Sequence, residues 1–293
     1  MEAGGQDPVF VLCAGRSGTT LLRFLLDSHP VIACPPETRI PWLCTQMSQA
    51  WSVIGQVPQG DGPPGNDGFP GPVLEGLRRS FQPMIDSYLA RAGKERFCDK
   101  SLGAALHSRL LRAMWPRARF ISMYRHPMDV IGSGIEAAPW GLSGYGFEPY
   151  VASYPGNSVA ALASYWTDYT SAIVAAEEHH GDACLRLRYE DLVADPEAEA
   201  KRLFDFLGVD NVPGITETIF SRRRERSGPG DHKIWETSSI GNGSVGRGWD
   251  VPAGMIPPPL LASLNALAGK LGYLAVTPSW GDGEKPADIR LPA

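Results

Sequence analysis

The sequence predicts an α/β domain: a central parallel sheet flanked by helices, with a P-loop-like anion-binding turn after the first strand. Three observations predict it. Residues 9–13 (VFVLC) form a short unbroken apolar run, as buried parallel strands do. A Gly-rich turn and a helical leucine pattern follow at once. Strand-like runs then alternate with helix-like segments through most of the chain.

Taken in order, 9–13 is the first strand and 14–18 the turn. Residues 19–29 carry Leu21, Leu22, Leu25 and Leu26 at helical spacing, and Pro30 stops the helix. Further strands are expected at 96–99, 119–124 and 184–189, and helices at 103–115, 128–138, 158–180, 197–207 and 259–271. Two segments break the rhythm. Residues 55–72 are dense in Gly and Pro, and 139–156 mix turn residues with aromatics. Both are expected to be flexible or lid-like. With no internal repeat, one domain over 1–293, with its core at about 8–273, is the simplest organisation.

Bulk properties narrow the function. A hydrophobic content of 43% with 20% charged residues is ordinary for a globular chain of 293 residues. A formal net charge of -5 argues against a nucleic-acid partner, which calls for a basic face. Residues 1–8 lack the pattern of a signal peptide, and the apolar stretches are too short and too charge-flanked for a membrane span. The five cysteines are scattered with no CxxC pair, which predicts reduced thiols and a cytoplasmic location. No metal-ligand cluster is evident, and the oligomeric state is open.

The most informative stretch is Ala14-Gly15-Arg16-Ser17-Gly18-Thr19-Thr20. Its backbone N–H groups can converge on an anion at a helix N-terminus. Gly15 and Gly18 allow close approach, Ser17, Thr19 and Thr20 add hydroxyls, and Arg16 adds a charged fork. It is not a Walker A loop. Thr19 stands where that motif needs lysine and Cys13 where it needs its first glycine, so a kinase or NTPase fits poorly. Taken alone, the stretch could equally be a tight βα turn capped by hydroxyls.

Four motifs in order change that balance: RSGTT with LLRFLLDSHP and CPPETR; YRHPMDVIGS at 124–133; RYEDLV at 188–193; and GDHKI at 230–234 with SVGRGW at 244–249. Together they resemble the sulfotransferases that use 3′-phosphoadenosine-5′-phosphosulfate (PAPS), above all the tyrosylprotein sulfotransferases and related bacterial sulfotransferase-domain proteins. The resemblance covers about 8–250 and leaves 55–72, 139–156 and the tail after Tyr273 unmatched.

The resemblance implies transfer of a sulfuryl group from PAPS to an acceptor hydroxyl, without a metal. Arg125 with Ser133, eight residues on, would hold the 3′-phosphate, a role that suits an Arg fork and a hydroxyl. The plainer alternative for Arg125 is an ion pair with Asp129. Arg247, beside Gly248, would be a second clamp, or simply a loop arginine. Tyr189 would contact the nucleotide, or belong to the core, and Lys233 would add a further donor contact. The 14–20 stretch would hold the phosphosulfate.

For chemistry, the resemblance points to Glu37, Lys100 and Arg16. Glu37 precedes a Thr-Arg pair, as the base glutamate of tyrosylprotein sulfotransferases does, and two prolines before it restrict its backbone. Lys100 would stabilise charge on the bridging oxygen. The histidine that cytosolic small-molecule sulfotransferases carry two residues after this lysine is absent; His107 is the nearest substitute, and His126 reads as structural. The basic run Arg222–Arg226 and the aromatics Trp42, Trp51, Trp140, Tyr145, Phe147 and Tyr150 stay open between surface or core and ligand contact. The expected acceptor is a small molecule or natural product in a bacterial cell. A silent PAPS-binding module is the rival that Glu37 and Lys100 oppose.

Overall fold

The computed structural model describes residues 6–56, 67–136, 146–220, 239–282 and 284–291. Five strands form one parallel sheet: β1 (Gln6–Cys13), β2 (Ile32–Ala33), β3 (Arg96–Asp99), β4 (Arg119–Tyr124) and β5 (Cys184–Arg188), in the order β2-β3-β1-β4-β5. β1 is central. It pairs with β3 through Phe10↔Asp99 and with β4 through Val9↔Arg119 to Cys13↔Met123.

Alternation along β1 divides the core. Phe10 and Leu12 face one side, and Val9, Val11 and Cys13 face the other. The second side is covered by α1 (Thr19–Ser28), α8 (Tyr189–Ala194), α9 (Pro196–Leu207) and α10 (Ile215–Thr218). The first is covered by α2 (Ile40–Ile54), α3 (Gly71–Ala92), α4 (Ser108–Met114), α5 (Pro127–Glu136), α7 (Ser158–His180) and α11 (Pro258–Lys270), with short α6 (Glu148–Ser153) against α7. Burial on both faces is why the strands read as unbroken apolar runs.

Local chemistry sets several ends. Asn157 caps α7 by accepting from the Ala160 amide at 2.9 Å, and Asp195 caps α9 through Ala198 at 3.1 Å. Gly93 and Gly208 close α3 and α9 in the left-handed region.

The strands at 96–99 and 119–124 and the helix at 158–180 stand as read, the first strand starts earlier, at Gln6, and three further details differ. The 184–189 strand stops at Arg188, and Tyr189 opens α8. The 103–115 helix is a 3₁₀ turn, Ala104–His107, followed by α4. Of the two irregular segments, 57–66 and 137–145 lie outside the described residues, but Phe147 is fully buried and 148–153 are helical. The tail after Tyr273 folds back on itself. Tyr273 bridges Arg290, the Leu274 amide donates to Ile289, and the Leu291 amide donates to Gly272. Among the described residues, no helix is long and apolar enough to cross a membrane.

Candidate active site at the carboxyl edge of the sheet

Because all five strands are parallel, their carboxyl ends share one edge, and the residues that follow them gather there. After β1 comes the 14–18 turn, after β2 Glu37, after β3 Lys100, after β4 Arg125, and after β5 Tyr189.

The turn is shaped by its backbone. Arg16 has φ 67 and Gly18 φ 83, so the chain reverses sharply before α1. A Cβ on Gly18 would lie 2.3 Å from the Tyr189 ring, so only glycine leaves room for that ring. No side chain caps α1, and its first N–H groups have no intrahelical carbonyl to meet. Ser17 and Thr19 are buried at the same point. The Gly15 amide donates to the Tyr165 hydroxyl at 2.7 Å, a support from α7 that fixes the start of the turn.

At one corner of this edge, Lys100 Nζ donates to Glu37 Oε1 at 2.5 Å, with side chains 5% and 13% exposed. Two further bonds tie their segments together. The Thr38 hydroxyl donates to Asp99, and the Arg39 amide donates to Ser101 Oγ at 2.9 Å. Burial holds the Asp99 carboxyl above the usual range. Lys100 therefore pairs with Glu37, and the Asp99 partners are Thr38 and Ser101. Leu102 lies 3.6 Å from where a Gly15 Cβ would be, so this corner adjoins the turn.

At the other corner, Arg16 Nε donates to Ser133 Oγ at 3.1 Å, joining the turn to α5. Arg125 donates to the Arg16 carbonyl at 3.1 Å and the Ser244 carbonyl at 2.5 Å, and its guanidinium lies 4.5 Å from the Tyr189 ring centre. The ion pair with Asp129 is present at 3.8 Å, but the Asp129 oxygens accept at 2.7 Å from the Gly246 and Gly248 amides. A Cβ on Gly248 would come within 2.1 Å of the Met128 backbone. Arg125 is buried, and its Nε has no hydrogen-bond partner among the described residues. A buried guanidinium with an unused donor, next to a hydroxyl and a second arginine, suits a phosphate monoester. Arg247 sits on the exposed rim, where it pairs with Glu136 at 3.3 Å.

His126 is structural, as expected. It is fully buried, accepts from the Met128 amide at Nδ1, and contacts the Leu274 carbonyl at Nε2. Burial pushes it down to about 4. His107 bonds Thr45 at 2.8 Å, and burial lowers it too. It helps line a cavity of about 400 Å³ between α2, α4 and α7. Lys233, the Arg222–Arg226 run, Trp140 and Tyr145 fall outside the described residues. Trp42 is 52% exposed, and Trp51 covers Gly76.

Sequence reasoning missed Tyr165, Asp129 as an amide acceptor, and the bonds from Thr38 and Ser101. Only the Asp at position 129, four residues after Arg125, left a trace in the sequence.

The family model described as "Sulfotransferase family" matches residues 8–213. The chain is 30% identical over 268 residues to the nodulation protein NoeE of Sinorhizobium fredii, covering 80% of this chain and 58% of that protein. It is 26% identical over 210 residues to protein-tyrosine sulfotransferase A of Caenorhabditis elegans, covering 69% and 50%. The chain thus spans about half the length of the curated relatives it matches. Among solved structures, the sulfotransferase domain from the curacin biosynthetic pathway aligns with a TM-score of 0.64 at 18% identity, over 92% of this chain and 99% of that one. The sulfotransferase domain from the Synechococcus PCC 7002 olefin synthase aligns at 0.59 and 21%, over 94% and 98%. At these identities the two structures show a shared fold.

Proposed function

This chain belongs to the sulfotransferase family, and from that premise we propose that it moves the sulfuryl group of PAPS directly to an acceptor hydroxyl. What carries the reading is the buried Lys100–Glu37 contact at 2.5 Å, beside the Gly15–Gly18 turn. It is a base and a cation at the point where the two substrates would meet.

The side chains then divide the work. The amides at the start of α1, with Ser17, Thr19 and Thr20, receive the phosphosulfate. Arg125 and Ser133 receive the 3′-phosphate, with Arg247 at the rim, Gly248 buried beside it and Tyr189 against the nucleotide, while Arg16, bonded to Ser133, serves both the bound phosphates and the chemistry. Lys233 is proposed as a further donor contact. Lys100 leaves Glu37 for the oxygen that bridges sulfur and phosphorus, where negative charge grows as that bond breaks. Glu37 is then open to take the proton of the attacking hydroxyl. A new S–O bond forms as the old one breaks, and 3′-phosphoadenosine-5′-phosphate (PAP) leaves. Positioning and fixed charge supply the catalysis, as in phosphoryl transfer.

For the acceptor, the support is a cluster of rings beside the turn. Tyr165 lies 4.3 Å from Tyr169, 4.6 Å from Phe147 and 5.4 Å from Tyr150, and Tyr150 and Tyr169 remain half-exposed. An aromatic wall favours a small molecule with an apolar body. The test is calorimetry with PAP and adenosine-5′-phosphate, then label transfer from PAPS to a panel of hydroxylated metabolites. Tight PAP binding and a labelled product are expected. Equal affinity for the two nucleotides would overturn the donor assignment.

A further inference from the structure

We propose that Trp280, in the C-terminal strap beyond the residues matched by the family model, positions the 3′-phosphate corner and sets its preference for a dianion. The inference rests on the donor reading above.

Two segments make that corner: 125–129, the start of α5, which carries Arg125 and Asp129, and the 244–248 turn, which carries the Ser244 carbonyl and Arg247. Trp280 touches both. Its indole N–H donates to the Gly248 carbonyl at 2.9 Å. Its ring stacks on His126 with centroids 5.0 Å apart and planes 15° from parallel. Trp249 packs on it at 4.9 Å. The strap adds two more holds. The Leu274 carbonyl meets His126 at 3.3 Å, and Lys285 donates to the Val245 carbonyl at 3.2 Å. Trp280 is buried at 7% exposure, so the indole is a wedge between the two segments rather than a surface ring.

The consequence is electrostatic. Asp129 Oδ2 lies 2.7 Å from the Gly246 amide and 3.8 Å from the Arg125 guanidinium. While the 244–248 turn is held, both carboxylate oxygens are committed to its amides. If the turn drifts, Asp129 loses those donors and Arg125 becomes its nearest partner. Arg125 would then be neutralised by its own neighbour and would offer less to an incoming phosphate dianion. Trp280 acts through other residues and touches no reacting atom, so it is a positioning residue.

The test compares PAP with adenosine-5′-phosphate, which lacks the 3′-phosphate, on the full chain and on Trp280→Phe and Trp280→Ala. Trp280→Phe keeps a stacking ring and removes the N–H. One hydrogen bond of this kind corresponds to a loss of up to about tenfold. The expected result is that loss for PAP and none for adenosine-5′-phosphate, with a larger loss in Trp280→Ala. In turnover, KM for PAPS should rise while kcat at saturating donor holds. PAP affinity kept within about twofold in Trp280→Phe would overturn the inference, because the lost bond is worth up to tenfold. So would an equal loss for both nucleotides, which is the mark of a merely structural residue. Failure of the donor reading is distinct: it would show in the unaltered chain as no preference for PAP.

Discussion

At the proposed reacting corner one contact joins two side chains, whereas at the proposed phosphate corner one guanidinium touches four stretches of chain. Lys100 and Glu37 meet at 2.5 Å. Arg125 reaches the Arg16 carbonyl, the Ser244 carbonyl, the Tyr189 ring and Asp129. The first corner rests on a single pair of side chains, so chemistry should fail steeply when either is lost. The second corner is woven largely from backbone groups, so single changes there should weaken binding by degrees.

The steepest test is Glu37→Gln, which keeps shape and removes the proposed base. Turnover should fall about 10²–10⁴-fold with PAP affinity unchanged. Lys100→Ala should cost about 10²–10³ in kcat, and it also strands a carboxylate that is 13% exposed. Single-turnover rates beside PAP titrations check both. A loss carried by PAP affinity instead would erase the distinction between the corners.

Acid sensitivity should come from the phosphate corner. His126, in contact with Trp280 and Tyr273 and faced by Glu190, Asp129 and Arg125, is held down to about 4 from its ordinary 6.5. It is neutral in the fold, and the unfolded chain binds its proton first. Its contribution is therefore full above about pH 6.5 and is lost as pH falls towards 4, by roughly 3 kcal/mol at most. Glu190, raised by burial, acts with the opposite sign, losing stability as pH rises. Thermal melts from pH 7 to 4.5 should show a shallower slope in His126→Gln than in the parent. Equal slopes would exclude His126 as the source.

Arg125→Ala should weaken PAP by about 1.5–3 kcal/mol, the worth of a charge-assisted hydrogen bond. It should leave kcat at saturating donor comparatively intact. The smallest effect belongs to Arg247→Ala. Its pair with Glu136 is about half exposed, so stability should change by about 0–1 kcal/mol. PAP affinity should fall by less than in Arg125→Ala, as calorimetry on the two variants would show.

What was legible followed the strands. Buried parallel strands announce themselves as apolar runs, and the residues just past their ends are the ones the motifs picked out: Arg16, Lys100, Arg125 and Tyr189. β2 was not legible, because two residues, Ile32 and Ala33, make no pattern. Nor were α2 and α3. α3 starts inside the Gly- and Pro-rich stretch and carries Pro83 in its interior, and α2 leaves Trp42, Val53 and Ile54 exposed, which blurs its apolar stripe. Asp129, Tyr165 and Trp280 act across more than 100 residues of sequence on Gly248, Gly15 and His126. Such partners are set by packing, and no local pattern records them.

Arg16 and Arg39 share one feature: both sit in the left-handed backbone region, at φ 67 and φ 59, where a side chain costs about 1–2 kcal/mol. Glycine would remove that cost at either position. A lineage screened only for heat resistance would therefore drift towards glycine at 16 and 39. At position 16 the drift would delete the guanidinium that meets Ser133. Arginine at that position therefore carries a backbone cost together with its contact to Ser133. A population of this chain evolved under both pressures should find its stabilising changes elsewhere.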